Sequence, residues 1–322
     1  MEGEVENLAF NHFGQQSSNW KRAFVVHLRG DEWQIETQDL HPSGMSAKWK
    51  LAGAGQHELR EVTYFTNGVH TASVEFGDVP LKPRDSISHY LWMMFVSGRY
   101  LADRGTNRLP AFFELVASPH FDPNLTQPAE WETIGQKLKF PKFIRYINKD
   151  GIPTWDDKAK KIIYAPAPFP YSKHGFTNAA YTLLESTNVG TARVPIRGEF
   201  KEFFPGPPMN ELVVRRHVTA VVHQIRPSCD HGNLTPELPK KTPITDHRLM
   251  SSTSQVGLVT YQVADGRWTT PEQLKKIHAR QVRDKLPHRT PYTLIAAFVI
   301  LLLSPVLVIL FKRRRLAQDK GR

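Results

Sequence analysis

Between Arg22 and Phe76 apolar and polar residues alternate in short runs, the period-two signature of half-buried β-strands. Arg22–Leu28 (RAFVVHL) and Trp33–Thr37 (WQIET) flank the polar turn Arg29-Gly30-Asp31-Glu32, and together they read as a hairpin. Glu58–Thr66 and Val69–Phe76 repeat the arrangement around Asn67-Gly68, a step that supplies the positive φ angles of a tight turn. In this second hairpin Val62 and Tyr64 on one strand and Val69, Thr71 and Ser73 on the other keep approximate period two, which predicts one buried and one wet face.

The period then changes. Pro80 to Pro83 end the sheet, and in Asp85–Asp103 the residues Ile87, Leu91, Met94, Phe95 and Leu101 follow helical spacing, with Asp85 or Ser86 as N-cap. The apolar stripe is wide and includes Trp92 and Met93, which predicts a core helix packed on the sheet; Met and aromatic side chains also suit an adaptable ligand surface. From Leu109 to Pro170 the density of proline and aromatic residues predicts loops and short edge strands. Phe176–Leu184, Thr191–Phe204 and Leu212–Ile225 read as strands again, the last partly buried through Val213, Val218, Val221 and Val222. Arg226–Ser254 reads as a long polar loop, and Gln255–Val263, turning at Ala264-Asp265-Gly266 into Arg267-Trp268, as a closing hairpin. Thr270-Pro271-Glu272 cap a basic helix that runs to about Lys285.

Beyond Pro287 the alternation disappears. Tyr292–Phe311 is twenty residues without a charge, followed at once by Lys312-Arg313-Arg314-Arg315. As a helix this run covers roughly 30 Å, the thickness of a bilayer's hydrocarbon core, and it predicts a single transmembrane anchor. Pro305 predicts a kink in mid-span, while Tyr292 and the basic cluster suit the two interfaces. The tail Lys312–Arg322 holds six Lys or Arg, and the other flank also holds six, at 275, 276, 280, 283, 285 and 289, so the positive-inside rule is nearly balanced. The tight basic block favours a cytoplasmic tail and an extracytoplasmic main domain. The opening MEGEVENLAFNHFGQQ has no apolar signal core, so that topology expects an export signal upstream of Met1; the alternative is a tail-anchored chain with a cytoplasmic domain, whose four adjacent cations would have to cross the membrane.

Charge changes the picture once it is divided. Of the formal +11, residues 271–322 contribute twelve cations against three anions, which leaves about +2 for residues 1–270. The main domain therefore lacks the basic footprint of a nucleic-acid binder, and the basicity suits anionic lipid head groups. Cys229 is the one cysteine, so no intrachain disulfide forms. Asn124-Leu125-Thr126 and Asn233-Leu234-Thr235 read as turns beside Pro123 and Pro236.

Chemistry-bearing motifs are sparse. GxSxG, GxxxxGK[ST], HExxH, CxxC and GxGxxG do not occur, and the expectation is a non-enzymatic protein without a cofactor. Cys229-Asp230-His231 with Asp246-His247 is the densest set of metal-ligand types, but it lacks paired ligand spacing and reads as an ordinary polar loop. His27, His70, His217 and His223 lie on predicted strands, where a hydrogen-bonded structural histidine is the commoner case.

Taken in order, the FVVHLRGDEWQIET hairpin, the YFTNGVHTASVEF hairpin, the HYLWMMF helix, the VRRHVTAVVHQI strand and the closing YQVADGRW resemble the LolA/LolB-like half-barrel proteins of the bacterial envelope, over about residues 20–270. The resemblance implies an incomplete antiparallel β-barrel wrapping a helix. The chain departs from it in carrying a C-terminal helix where LolA-type carriers are soluble and LolB-type ones are lipid-anchored. The expected architecture is thus mainly β (α+β), with an N-terminal segment 1–19, a half-barrel domain 20–270 holding an irregular insertion near 109–170, a juxtamembrane helix 271–290, the span 291–311 and a basic tail 312–322. The expected function is binding of a lipid, an acylated protein or another apolar ligand near the membrane, with Trp33, Trp92, Met93 and Phe95 as candidate cleft liners. The alternative is an assembly module that recruits another envelope protein.

Overall fold

The structure, a computed structural model, describes residues 1–11, 13–40, 46–54, 58–76, 85–104, 108–110, 126–136, 138–148, 152–156, 158, 161–165, 175–205, 211–227, 232–249, 258–263 and 265–285. The chain forms two compact units, Met1–Thr269 and Thr270–Arg322. The first unit is mainly β and built on an open sheet. Its strands are β1 (Glu2–Phe10), β2 (Gln16–Arg29), β3 (Glu32–Asp39), β4 (Ala47–Ala54), β5 (Glu58–Phe65), β6 (His70–Phe76), β7 (Arg108–Pro110), β8 (Thr126–Ile134) and β9 (Phe140–Asn148), then β10 (Ile152–Asp156), β11 (Lys161–Ala165), β12 (Phe176–Val189), β13 (Ala192–Pro205), β14 (Leu212–Gln224), β15 (Pro243–Asp246) and β16 (Val259–Gln262). Fourteen of them form one sheet in the order β16-β15-β6-β5-β4-β3-β2-β1-β14-β13-β12-β9-β8-β7, and β10 pairs with β11 alone. Among the described strands every pairing is antiparallel except β15 with β6, which is parallel.

Both predicted hairpins form. Gly30 (φ +52°) turns β2 into β3, and Gly68 (φ +81°) turns β5 into β6, with Asn67 Oδ1 accepting from the Val69 amide at 3.0 Å. The register corrects the predicted face of the second hairpin. Val62 stands opposite Ala72, so Val62, Ala72 and Val74 are buried together on one face, while Thr71 and Ser73 share the other face with Thr63 and Glu61.

Residues 1–19 are not an appended segment, because β1 runs between β2 and β14 in the middle of the sheet. Its buried positions are Gly3, Val5 and Asn7, with acids at the alternate positions, so Val5 is the one apolar side chain among the buried three and the period is faint. The stretch 109–170 is more regular than its prolines suggest: β8 and β9 are full members of the sheet, with Pro128 and Pro141 close to strand starts, where a missing amide is tolerated. Within the stretch expected as a long loop, β15 pairs with both β6 and β16. The predicted closing hairpin is therefore wrong in its partner, since Val259–Gln262 pairs with Pro243–Asp246 and not with Arg267-Trp268. Asn233 does make a turn, its Oδ1 accepting from the Thr235 amide at 2.9 Å.

The expected helix forms as two pieces, α1 (Ser86–Phe95) and α2 (Ser97–Arg104). Asp85 is the N-cap, its Oδ2 accepting from the Ser88 amide and hydroxyl at 2.9 and 2.8 Å. At the break, Ser97 Oγ donates to the Met93 carbonyl at 2.7 Å, a back-bond of the kind that bends helices. The bend lowers Gly98 onto β9: a Cβ at this position would meet the Lys139 carbonyl oxygen at 2.5 Å and Phe140 Cα at 2.7 Å. Both are backbone atoms that cannot rotate aside. Gly98→Ala is therefore expected to destabilise the unit by about 1–3 kcal/mol through overpacking, which a thermal melt against wild type reads directly.

The main core lies between these helices and one face of the sheet. Phe24, Trp33, Ile35, Leu51, Ile144, Tyr181 and Phe200 meet Leu91, Trp92, Met94 and Phe95 there. Every residue from Ile87 to Gly98 is buried, the polar Ser88, His89 and Ser97 included. A smaller core on the opposite face joins Val62, Ala72 and Val74 to Leu238, Ile244 and Val263. In the second unit, α3 (Pro271–Lys285) starts at a capping box: the Gln273 amide donates to Thr270 Oγ1 at 3.3 Å, and the Thr270 amide to Gln273 Oε1 at 3.0 Å.

Candidate functional site

Polar side chains collect on the helix-bearing face where α1 begins. Arg22 on β2 is nearly buried and donates through Nε to Asp39 Oδ1 and through Nη1 to both Asp85 oxygens, each at 2.8 Å. Its guanidinium also lies 3.6 Å from the Trp49 ring centroid and 4.9 Å from that of Trp20. Arg216 Nη1 donates to the Tyr90 hydroxyl at 2.8 Å in the same region of the helix. Asn7 Oδ1 and Thr37 Oγ1 are buried without a hydrogen bond. Asp85 thus caps the helix and pins its first turn to β2 and β3, and one side chain sets the helix position relative to the sheet.

Beside this cluster lies a half-open pocket of about 330 Å³, lined by Trp49, Glu61, Thr63, Thr71, Ala72, Ser73, Asp85 and Thr245. The sheet register explains its composition. Trp49 pairs with Thr63 and Thr63 with Thr71, forming one row; Glu61 pairs with Ser73 and Ser73 with Thr245, forming the next. Paired residues point to the same face of a sheet, so the floor carries four hydroxyls and one carboxylate. Trp49 and Asp85 form walls. This is a surface of donors and acceptors beside one aromatic plane. It suits binding of a polar group.

The four expected cleft liners lie elsewhere. Trp33, Trp92, Met93 and Phe95 are 2 % exposed or less and packed into the main core, and none of them borders the pocket. The Trp33 indole donates to the Tyr100 hydroxyl at 3.0 Å, and Trp92 stacks on the Tyr100 ring at 6.1 Å. Burial pushes the Tyr100 phenol above its usual range against the pull of that indole bond, so it is a neutral structural hydroxyl at ordinary pH. These residues hold the helices to the sheet. Of the pocket's residues, the sequence pointed only to Asp85, as an N-cap, and to Thr71 and Ser73, as alternating positions. The recoverable signal was the spacing of hydroxyls in Thr63 and in Thr71-Ala72-Ser73, but the pairing that gathers them depends on register.

Asp246 and His247, two of the five residues weighed for metal-ligand chemistry, serve other ends, and the His247 amide donates to the Val74 carbonyl at 2.8 Å. Asp246 is fully buried and accepts from Arg248 Nη2 at 2.7 Å and the Tyr261 hydroxyl at 3.0 Å, which ties β15 to β16; burial and the nearby carboxylate push the Tyr261 phenol up to about 12. Among the described residues no three His, Cys, Asp or Glu converge as metal ligands. Cys229, Asp230 and His231 lie outside the described residues, as do the anchor positions Tyr292, Pro305, Phe311, Lys312, Arg313, Arg314 and Arg315. Among the described residues no helix is long and apolar enough to cross a membrane. Comparison with known proteins returned no matching family model, curated protein or solved structure.

Proposed function

We propose that this chain is a membrane-anchored, non-enzymatic binding protein of the LolA/LolB-like half-barrel type, its β domain outside the cytoplasm and its ligand a lipid, an acylated protein or another amphiphile. The observation that carries the reading is the pocket beside the amino end of α1, an opening next to the buried core. The half-barrel is supported by the way α1 contacts β3, β9, β12 and β13 together. In the strand order β3 and β9 are separated by five other strands. At about 4.8 Å per step a flat sheet would hold them roughly 29 Å apart, whereas a helix with its side chains is about 10–12 Å across. A curled sheet brings them to one helix. The anchor is supported by the uncharged run 292–311 and the cations that follow it.

The burial of Trp33, Trp92, Met93 and Phe95 alters the form of the proposal. With these side chains packed, an acyl chain reaches them by displacing α1 and α2, so on this reading the pocket receives the polar end of the ligand. A second reading, recruitment of another envelope protein, draws on exposed apolar residues at one end of the sheet. Phe13 (69 % exposed) lies in the turn between β1 and β2, and Phe204 and Leu212 lie at the facing ends of β13 and β14.

The two readings separate in one preparation. The full chain, extracted in a non-glycosidic detergent such as an amine oxide, is analysed by native mass spectrometry. A stoichiometric acyl species is the expected result. A ligand-free protein that retains a stoichiometric polypeptide partner moves the assignment to recruitment.

A further inference from the structure

We infer that α3 lays a cationic face on the head groups of the membrane that holds the chain, binding anionic phospholipid by charge and without inserting; the inference rests on the anchor reading of residues 292–311. Leu274 is 1 % exposed, and Ile277, His278 and Gln281 are half-buried, a spacing of i, i+3, i+4 and i+7 that makes one stripe of the helix. The stripe that an inserting helix would press into lipid is thus shielded already. Lys275, Lys276, Arg280 and Arg283 lie on the exposed sides. Of these Lys276, Arg280 and Arg283 follow at i, i+4 and i+7, a row about 10 Å long on one face. No acid stands between Glu272 and Asp284. Glu272 belongs to the first turn, where a carboxylate suits the positive end of the helix. Asp284 lies 3.8 Å from Arg283, and both side chains are more than 70 % exposed, so water screens the pair and Arg283 stays available to a phosphate.

Chain continuity selects the occupant. α3 ends at Lys285 and the uncharged run begins at Tyr292, so residues 286–291 join the two. Fully extended, that link reaches roughly 20–25 Å, and the carboxyl end of the helix stays within this distance of a bilayer crossed by Tyr292–Phe311. Arg289 adds a cation along the way. The tether makes the encounter intramolecular, so contacts that are weak one by one suffice together. A second copy of the helix would bring like charges together, whereas each anionic head group meets a Lys or Arg with the opposite sign. Insertion is opposed by the same cations, since Val282, 43 % exposed, is a lone large apolar side chain among them.

The test places the full chain in lipid nanodiscs, with a fluorophore on Ala279→Cys in a Cys229→Ser background; Ala279 is exposed beside the cations. A small amount of phosphatidylcholine carrying a nitroxide on its head group quenches the fluorophore when α3 touches the membrane surface. One set of discs is phosphatidylcholine throughout, and the other has about one third of it replaced by phosphatidylglycerol. Each cation near an anionic surface favours contact about fivefold, so quenching is expected to rise at least about twofold with phosphatidylglycerol. The rise is expected to vanish at about 1 M salt, where the Debye length is roughly 3 Å. It is also expected to vanish in the triple variant Lys276→Gln, Arg280→Gln, Arg283→Gln, whose exposed positions leave the fold intact. Salt needs no substitution and so gives the same answer independently. Quenching that ignores phosphatidylglycerol overturns the inference and leaves the cationic face to an acidic polypeptide. A rise that survives both salt and the triple variant overturns it too, since contact would then be apolar. A chain that separates from the discs on size exclusion removes the anchor reading and the inference with it, whereas one that stays in the discs with unresponsive quenching removes the inference alone.

Discussion

Trp92→Asp yields no folded protein. Trp92 is 1 % exposed, at the centre of a helix whose neighbours are all buried, and its ring stacks on Tyr100. Truncating a buried tryptophan costs about 3–5 kcal/mol. Placing an ionised carboxylate in that space adds several kcal/mol of desolvation. The sum approaches the whole of a typical domain stability of about 5–15 kcal/mol. Soluble yield, far-UV circular dichroism and a thermal melt read the result, and Trp92→Phe is the control, which folds with a lowered melting temperature. A folded Trp92→Asp protein that had merely lost its ligand would restore this residue to the role of cleft liner and would mean that the helix leaves the sheet in solution.

Asp85→Ala has the second largest effect, because one side chain performs two tasks. It caps α1 through Ser88, and it holds Arg22, whose side chain is 9 % exposed. Loss of a cap costs about 0.5–2 kcal/mol. Loss of one of the two carboxylates facing a nearly buried guanidinium brings the expected total to about 3 kcal/mol, with Asp39 still satisfying part of the charge. For a unit of this size that is a drop in melting temperature of roughly 6–12 °C. Asp85→Asn keeps an acceptor for Ser88 and loses less. The double variant Arg22→Met with Asp85→Ala is expected to be more stable than Asp85→Ala alone, since it removes the charge that the single change strands. If the double variant is worse by the full cost of both changes, Arg22 and Asp85 are not coupled and the pinning of the helix to β2 and β3 lies elsewhere.

The same pair links stability to the proposed site, since Asp85 forms one pocket wall and Arg22 backs the Trp49 wall. A variant that loosens α1 is thus expected to blur the pocket even where it still folds. Ligand affinity and melting temperature fall together for Asp85→Ala but separate for Thr71→Val, which touches no such contact.

Much of the local structure was written in the chain. The Gly30 and Asn67-Gly68 turns, the Asp85 cap, the helical period of Ile87, Leu91 and Met94, and the Thr270 capping box are each set by residues within a few positions of one another, so conformational preference and hydrophobic period suffice to read them. Strands with little apolar content escaped. β1 has Gly3, Val5 and Asn7 inward, and β15 has only four residues beginning with proline; both exist because neighbours far along the chain supply their hydrogen bonds. The bulk of Trp33, Trp92, Met93 and Phe95 announced an apolar surface, but whether that surface lines a cleft or fills a core depends on how closely the sheet approaches the helix, which no local pattern encodes. The pocket shows this most clearly. Trp49, Glu61, Thr71 and Thr245 are spread over almost two hundred positions and meet because β4, β5, β6 and β15 stand side by side in one register. The sequence by itself determined the turns, the caps, the mainly β character and an uncharged twenty-residue run before its cations, since these are short-range or compositional properties. Only the tertiary structure decided which face each strand buries and which polar residues share a floor, because a one-residue slip in register would turn every one of those side chains to the other face.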